Sequence, residues 1–194
     1  MTLPPGQSDA PHEHPAHSMY FLAAAKLEIS DGNPPANPHV VEIPAGAPPI
    51  FPAGAHQVKN VGDTEAHVLF VEAMPTCKPC GDVEGAVTPF VVSPTCYKIL
   101  AEDDDWITGE LVIKPGESDV LHHHKDHLIY VVEGDEVTIY ENGDTEDATK
   151  AHAVPIKPGA GIPAPIAAGP IFAYHSLKNT GKGDVKMIFF EMKK

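Results

Sequence analysis

Of twelve histidines in 194 residues, eight fall into two sets of four with nearly the same spacing. His12, His14, His17 and His56 form one set; His122, His124, His127 and His175 form the other. Neutral imidazole is a good ligand for zinc, nickel, copper and ferrous iron. Each set therefore has the donors of a transition-metal centre. On a strand, residues two apart share a face and lie about 6.6 Å apart, so His12 with His14, and His122 with His124, offer two ligands to one ion. The third His comes three positions later, across Pro15-Ala16 or Lys125-Asp126, and joins that face only if the chain bends there. The fourth comes from far along the sequence, near the start of a late strand. Four imidazoles on three strands can meet inside a barrel. His39 and His152 also match each other, but on a different predicted strand, and are set aside as ligands. His67 and His123 have no histidine counterpart, and alternation turns His123 towards a surface or supporting position.

The spacing recurs because most of the chain is written twice. PGQSDAPHEHPAH (5–17) matches PGESDVLHHHKDH (115–127). The match continues through Tyr20 and Tyr130, His39 and His152, Gly46 and Gly159, His56 and His175, and Asn60 and Asn179. The offset grows from 110 to 113 to 119, with insertions near ENGDTEDATK and within GIPAPIAAGPI. Runs such as LIYVVE, EVTIY, HVLFVEA and MIFFEM are rich in β-branched and aromatic residues, and Gly, Pro, Asn and Asp punctuate them. No long 3.6-residue periodicity is present. These features predict an all-β chain of two barrels from an internal duplication, over 1–75 and 97–194, with 76–96 as connector. YKILAEDDDWITGELVIKPG precedes the second copy, whereas only MTLP precedes the first. A bare sheet edge is a liability, so the first barrel is expected to be completed by a swapped strand, from 86–92 or 95–101, or from a second subunit.

Alternation places Ala10, Met19, Phe21, Gly54 and Val58 on the ligand side of the first copy, and Val120, Ile129, Val131, Ala173 and Leu177 on that of the second. Nearly all are apolar, as in a small-molecule pocket. The net charge of −14 argues against nucleic acid and anionic membranes as partners. No apolar run is long enough to span a bilayer. Three cysteines and no secretory signal pattern point to a reducing, cytoplasmic setting. No nucleophile triad or phosphate-binding loop is present. CKPC (77–80) lies in the connector, AEDDDW (101–106) reads as a solvated turn, and Tyr20 and Tyr130 read as packing residues.

The pattern PG-(x)5-HxH-xx-H-(x)6-G at 115–134 resembles the first cupin motif, and His56-(x)3-Asn60 and His175-(x)3-Asn179 resemble the end of the second. Two copies make the chain resemble a bicupin. The resemblance implies two β-barrels or jelly rolls, each holding a divalent transition metal (Fe, Ni, Zn, Cu or Mn) through its four histidines, and a homo-oligomer. His17 and His127 replace the motif's usual glutamate, one residue early, and Ala24 stands where the second copy has Gly134. Neutral ligands leave the dication uncompensated, so it should favour an anionic partner. Four ligands close a tetrahedral site, whereas an octahedral one keeps two open positions. The expected function is a metal-dependent enzyme acting on a small anionic or enolisable molecule, with a non-haem dioxygenase placed first. The alternatives are a redox-neutral cyclase, isomerase or lyase, and a non-catalytic binding protein. The second copy, with its glycine turn, leading strands and longer loop, is expected to be the active one.

Overall fold

The computed structural model describes residues 1–72, 87–125, 127–142, 147–159, 161–164 and 174–193. The chain divides into two units, Met1–Cys77 and Lys78–Lys194. The first contains β1 (Thr2–Leu3), β2 (His12–His14), β3 (His17–Phe21), β4 (Ala25–Asp31), β5 (Ala36–Ile43), β6 (Ile50–Phe51), β7 (Gly54–Asn60) and β8 (Ala66–Glu72). They form two four-stranded antiparallel sheets, ordered β1-β8-β3-β6 and β2-β7-β4-β5. The second contains a one-turn helix α1 (Pro89–Val92), β9 (Tyr97–Glu102), β10 (Trp106–Ile113), β11 (His127–Glu133), β12 (Glu136–Glu141), β13 (Ala151–Pro155), β14 (Gly161–Ala164), β15 (His175–Asn179) and β16 (Val185–Met192). Its antiparallel sheets are β14-β11-β16-β10-β9 and β13-β12-β15. No described helix is long and apolar enough to cross a membrane.

The duplication is carried through to the registers. Thr2 and Leu3 pair with His67 and Ala66, as Val112 and Ile113 pair with Lys186 and Val185. β1 thus corresponds to the last two residues of β10. Inward residues also correspond: Phe21 and Val131, Leu27 and Val137, and Val68 and Met187 are all buried in the two cores. Alternating β-branched and aromatic residues on half-buried strands account for these sheets.

Two expectations change, and a third holds. The segments assigned to a swapped strand belong to the second unit: Pro89–Val92 is helical, and Tyr97–Glu102 pairs with β10. Phe90 packs against Tyr97 and Phe189, so 87–96 is part of the second unit's core rather than connector. The turn at Ala24 does differ. Gly134 has φ +132°, where a side chain would strike Ile156, whereas Ala24 is not among the positive-φ residues. Tyr20 and Tyr130 each approach a positive-φ turn glycine, Gly46 and Gly159, consistent with packing roles. CKPC and most of the long second-copy loop, including Ala173, lie outside the described residues.

The matched asparagines act as clamps. Asn60 is fully buried. Its amide donates to the Leu3 and Thr64 carbonyls at 2.8 Å, and its carbonyl accepts the Gly62 N–H at 2.9 Å. Asn179 repeats this on Ile113, Gly183 and Gly181. Asn179→Ala leaves these backbone groups without their partner and should destabilise the second unit by about 2–4 kcal/mol. Urea unfolding followed by fluorescence of Trp106, the chain's sole tryptophan and buried in that unit, measures this.

Candidate metal centres

Backbone pairing delivers the ligands. In the first unit β2 lies antiparallel to β7, with His12 directly opposite His56. In the second the HxH segment is not a regular strand, yet a single bridge sets His122 opposite His175. His14 and His124 share the face of His12 and His122 because they lie two residues on. Ring centroids are 4.4 Å apart for His12–His14 and 4.7 Å for His12–His56. The corresponding separations in the second unit are 4.8 Å and 4.6 Å. In each trio one ring nitrogen per residue lies within 4.8 Å of the other two.

His17 and His127 are not members of these trios, although their rings adjoin them. Each ring lies beside that of the preceding ligand, 5.1 Å from His14 and 4.4 Å from His124 respectively. The structure thus brings three of the four expected ligands of each unit into one group. The three-residue step places the last ring against its neighbour, and in the first unit His17 also stacks on Phe70 at 4.6 Å.

Hydrogen bonds fix the tautomers. His12 and His122 donate from Nδ1 to the carbonyls of Ala10 and Val120, both at 2.7 Å. His17 and His127 donate likewise to Pro15 and Lys125. A carbonyl only accepts, so each Nε2 of these rings carries a lone pair. His14 Nδ1 meets Glu72 at 2.5 Å and His124 Nδ1 meets Glu191 at 3.1 Å. Such carboxylate–histidine contacts orient metal ligands and raise their basicity. Asp9 and Asp119 brace the late strand, each accepting a backbone N–H, from Val58 and Leu177, two residues beyond the ligands His56 and His175.

Burial sets the charges in the second centre. It pushes His122 down to about 4 and His124 well below the usual imidazole range. The same burial pushes Asp119 and Glu191 up to about 7, and Tyr97 well above the usual phenol range. Burial also lowers His17 and His56 in the first unit. His122 Nε2 lies 3.1 Å from His124 Nε2. The His122 atom bears a lone pair, so the gap holds either a proton, relayed along the Glu191–His124 contact, or a cation. Two nitrogens about 2.1 Å from a shared ion sit about 3.0 Å apart at a right angle and about 3.4 Å apart at a tetrahedral one. The residues fit a metal.

The surroundings differ. The first trio borders a cavity of about 300 Å³, walled by Met19, Phe21, Leu27, Val58 and Phe70. The second borders one of about 30 Å³. Tyr97 from β9 and Leu111 from β10 line it together with Met187 and Phe189. Tyr97 donates to Asp119 at 3.0 Å, and its oxygen lies 3.3 Å from His122 Nε2. The Phe189 ring approaches Gly109, where a Cβ would come within 2.2 Å of the ring. The described part of the first unit has no counterpart of β9. The leading strands of the second copy thus send Tyr97 and Leu111 to the wall of its cavity.

Met19, Phe21, Gly54 and Val58 line the first cavity, and Ile129 and Leu177 the second, as alternation predicts. Val131 is in the core, but Ala10 and Val120 are exposed, because the chain ahead of each HxH curls back onto its own imidazole. His39 lies at the edge of the first cavity, and His152 is exposed beside Glu141. His67 is exposed on β8. His123 is buried against Tyr174, not at the surface. Glu72, Glu191 and Tyr97 were not anticipated as site residues. The two glutamates share the offset of His56 and His175, a signal the sequence did carry.

No family model and no curated protein matches the sequence. Solved structures do. AerE from Microcystis aeruginosa superposes with TM-score 0.65 at 11% identity, covering 100% of this chain and 85% of that one. A formate complex of Lactobacillus farciminis oxalate decarboxylase gives 0.62 at 16%, covering 100% and 75%. The Mn(II)-containing Bacillus subtilis oxalate decarboxylase gives 0.59 at 14%, covering 98% and 67%. The chain has the cupin fold. Within that cupin frame, each unit places its histidine trio between its two sheets.

Two metal ions per chain are expected. His14→Ala and His124→Ala should each reduce the count to one, whereas His17→Ala and His127→Ala should retain two, as read by elemental analysis after dialysis. Glu72→Gln should weaken first-site metal affinity about 10–100-fold, measured by competition with a chelator.

Proposed function

We propose that the protein is a metal-dependent bicupin enzyme that acts on a small anionic or enolisable organic molecule in its first barrel, with dioxygenase chemistry favoured. One observation carries this reading: His12, His14 and His56 converge at the wall of a cavity of about 300 Å³ that is otherwise largely apolar. A divalent Fe, Ni, Zn, Cu or Mn ion held there would polarise a substrate oxygen and, if redox-active, would allow dioxygen to serve as oxidant. The named neighbours support the idea of a metal and a small carboxylate in this fold, one being described by its Mn(II) centres and another by a bound formate.

The chain's own groups supply the rest. Neutral imidazoles leave positive charge for a substrate anion to offset. Glu72 holds His14 in orientation. His17 lines the cavity with its Nδ1 proton committed to Pro15, so its Nε2 can accept a proton from an enolisable substrate. The apolar walls exclude water and strengthen these interactions. The second centre, closed by Tyr97 and Phe189, is read as structural.

The test is oxygen consumption by protein loaded with each metal in turn, over a panel of enolisable carbonyl compounds and carboxylates. His14→Ala should lower turnover at least about 100-fold, and His124→Ala by less than about threefold. Equal losses would overturn the assignment to the first barrel. Turnover without oxygen uptake, or with zinc alone, would replace the dioxygenase by a cyclase, isomerase or lyase. Binding without turnover would leave a non-catalytic cupin.

A further inference from the structure

Among the described residues, the first cavity offers a bound molecule no lysine or arginine side chain. The chain contains no arginine, and all thirteen of its basic side chains are lysines. No lysine is among the described residues lining the cavity. The α-amino group of Met1, which also borders it, donates to the Val68 carbonyl at 2.8 Å. Besides imidazoles and the Met1 ammonium, the ionisable groups among the described lining residues are two carboxylates, Asp9 and Asp31. Asp9 already accepts the Val58 N–H at 2.8 Å. Among the described residues, the side-chain positive charge available to an anion therefore comes from the histidine end, since the Met1 ammonium is turned to a backbone carbonyl.

This distribution discriminates among anions. A single carboxylate or enolate head can lie at the imidazoles while an uncharged body rests on Met19, Phe21, Leu27, Val58 and Phe70. A dicarboxylate would turn its outer oxygens towards these same walls or towards Asp31. Charge buried without a partner or hydrogen bond is strongly disfavoured. The volume of about 300 Å³ is roughly ten times a water's share of liquid, so the body can be of about ten non-hydrogen atoms.

We infer that the first barrel selects a monoanion with one oxygen-bearing head and an apolar body, and discriminates against dicarboxylates, including oxalate, for which two of its structural neighbours are named. This rests on the metal-centred reading above and sharpens it.

Calorimetric titration of the zinc-loaded full chain with 3-phenylpropanoate and with oxalate tests the inference, with zinc content measured before and after. The arylalkanoate should bind at least tenfold tighter than oxalate, and His14→Ala should abolish its binding. Phe51→Lys places a cation at the half-exposed edge of the cavity, where folding tolerates it, and should raise oxalate affinity at least tenfold. With first-site zinc retained, equal or tighter oxalate binding, or no binding of either probe, overturns the monoanion inference alone. If His14→Ala leaves zinc content unchanged, the metal-centred reading itself falls.

Discussion

The site depends on one electrostatic constraint: imidazole lone pairs crowded together cannot stay without positive charge among them. Pairing of His12 with His56, and of His122 with His175, forces this crowding through the backbone before any side chain chooses a rotamer. The i−2 carbonyl then takes the Nδ1 proton of His12 and of His122, and commits each Nε2 to the centre. Carboxylates from the far sheet, Glu72 and Glu191, hold the ring between. The opening repeat thus has a physical content. Its Ser and Asp tie the segment to the late strand, and its histidines occupy what that tie brings together.

The same frame gives two environments because only one copy carries a preceding pair of long strands. Where β9 and β10 complete the sheet, Tyr97 and Leu111 enter the barrel and the remaining space falls to about one water's volume. Where only two residues correspond to β10, space remains for an organic molecule. Burial follows the same division. The second trio is buried throughout, and the first is only partly so. Duplication preserved the ligands, and the flanking strands decided what else can approach them.

Much of this was legible in the residues. Phe21, Val58, Ile129 and Leu177 were placed correctly because they sit on regular strands, where alternation holds. It failed at Val120, which lies on an irregular segment pinned by bridges and turns rather than by a ladder. The place of the third histidine of each set was not legible, because it depends on how sharply the chain bends, and Pro15-Ala16 and Lys125-Asp126 do not specify an angle. Tyr97 was invisible to internal comparison, since it falls outside the repeat. Pro89–Val92 reads as strand by composition, yet a proline at its first turn and packing of Phe90 on Tyr97 favour a helix.

The carboxylates behind the two central histidines differ in their access to water. The Glu72 side chain is 31% exposed, whereas that of Glu191 is 4% exposed. An outer carboxylate that water can reach lets its imidazole swing away and readmit a solvent ligand; one sealed in the core does not. The two centres should therefore differ in lability. The first would equilibrate with whatever ions surround it, while the second would keep the ion it acquired on folding. A bulk metal analysis of such a chain would average a record of its synthesis with a record of its present surroundings.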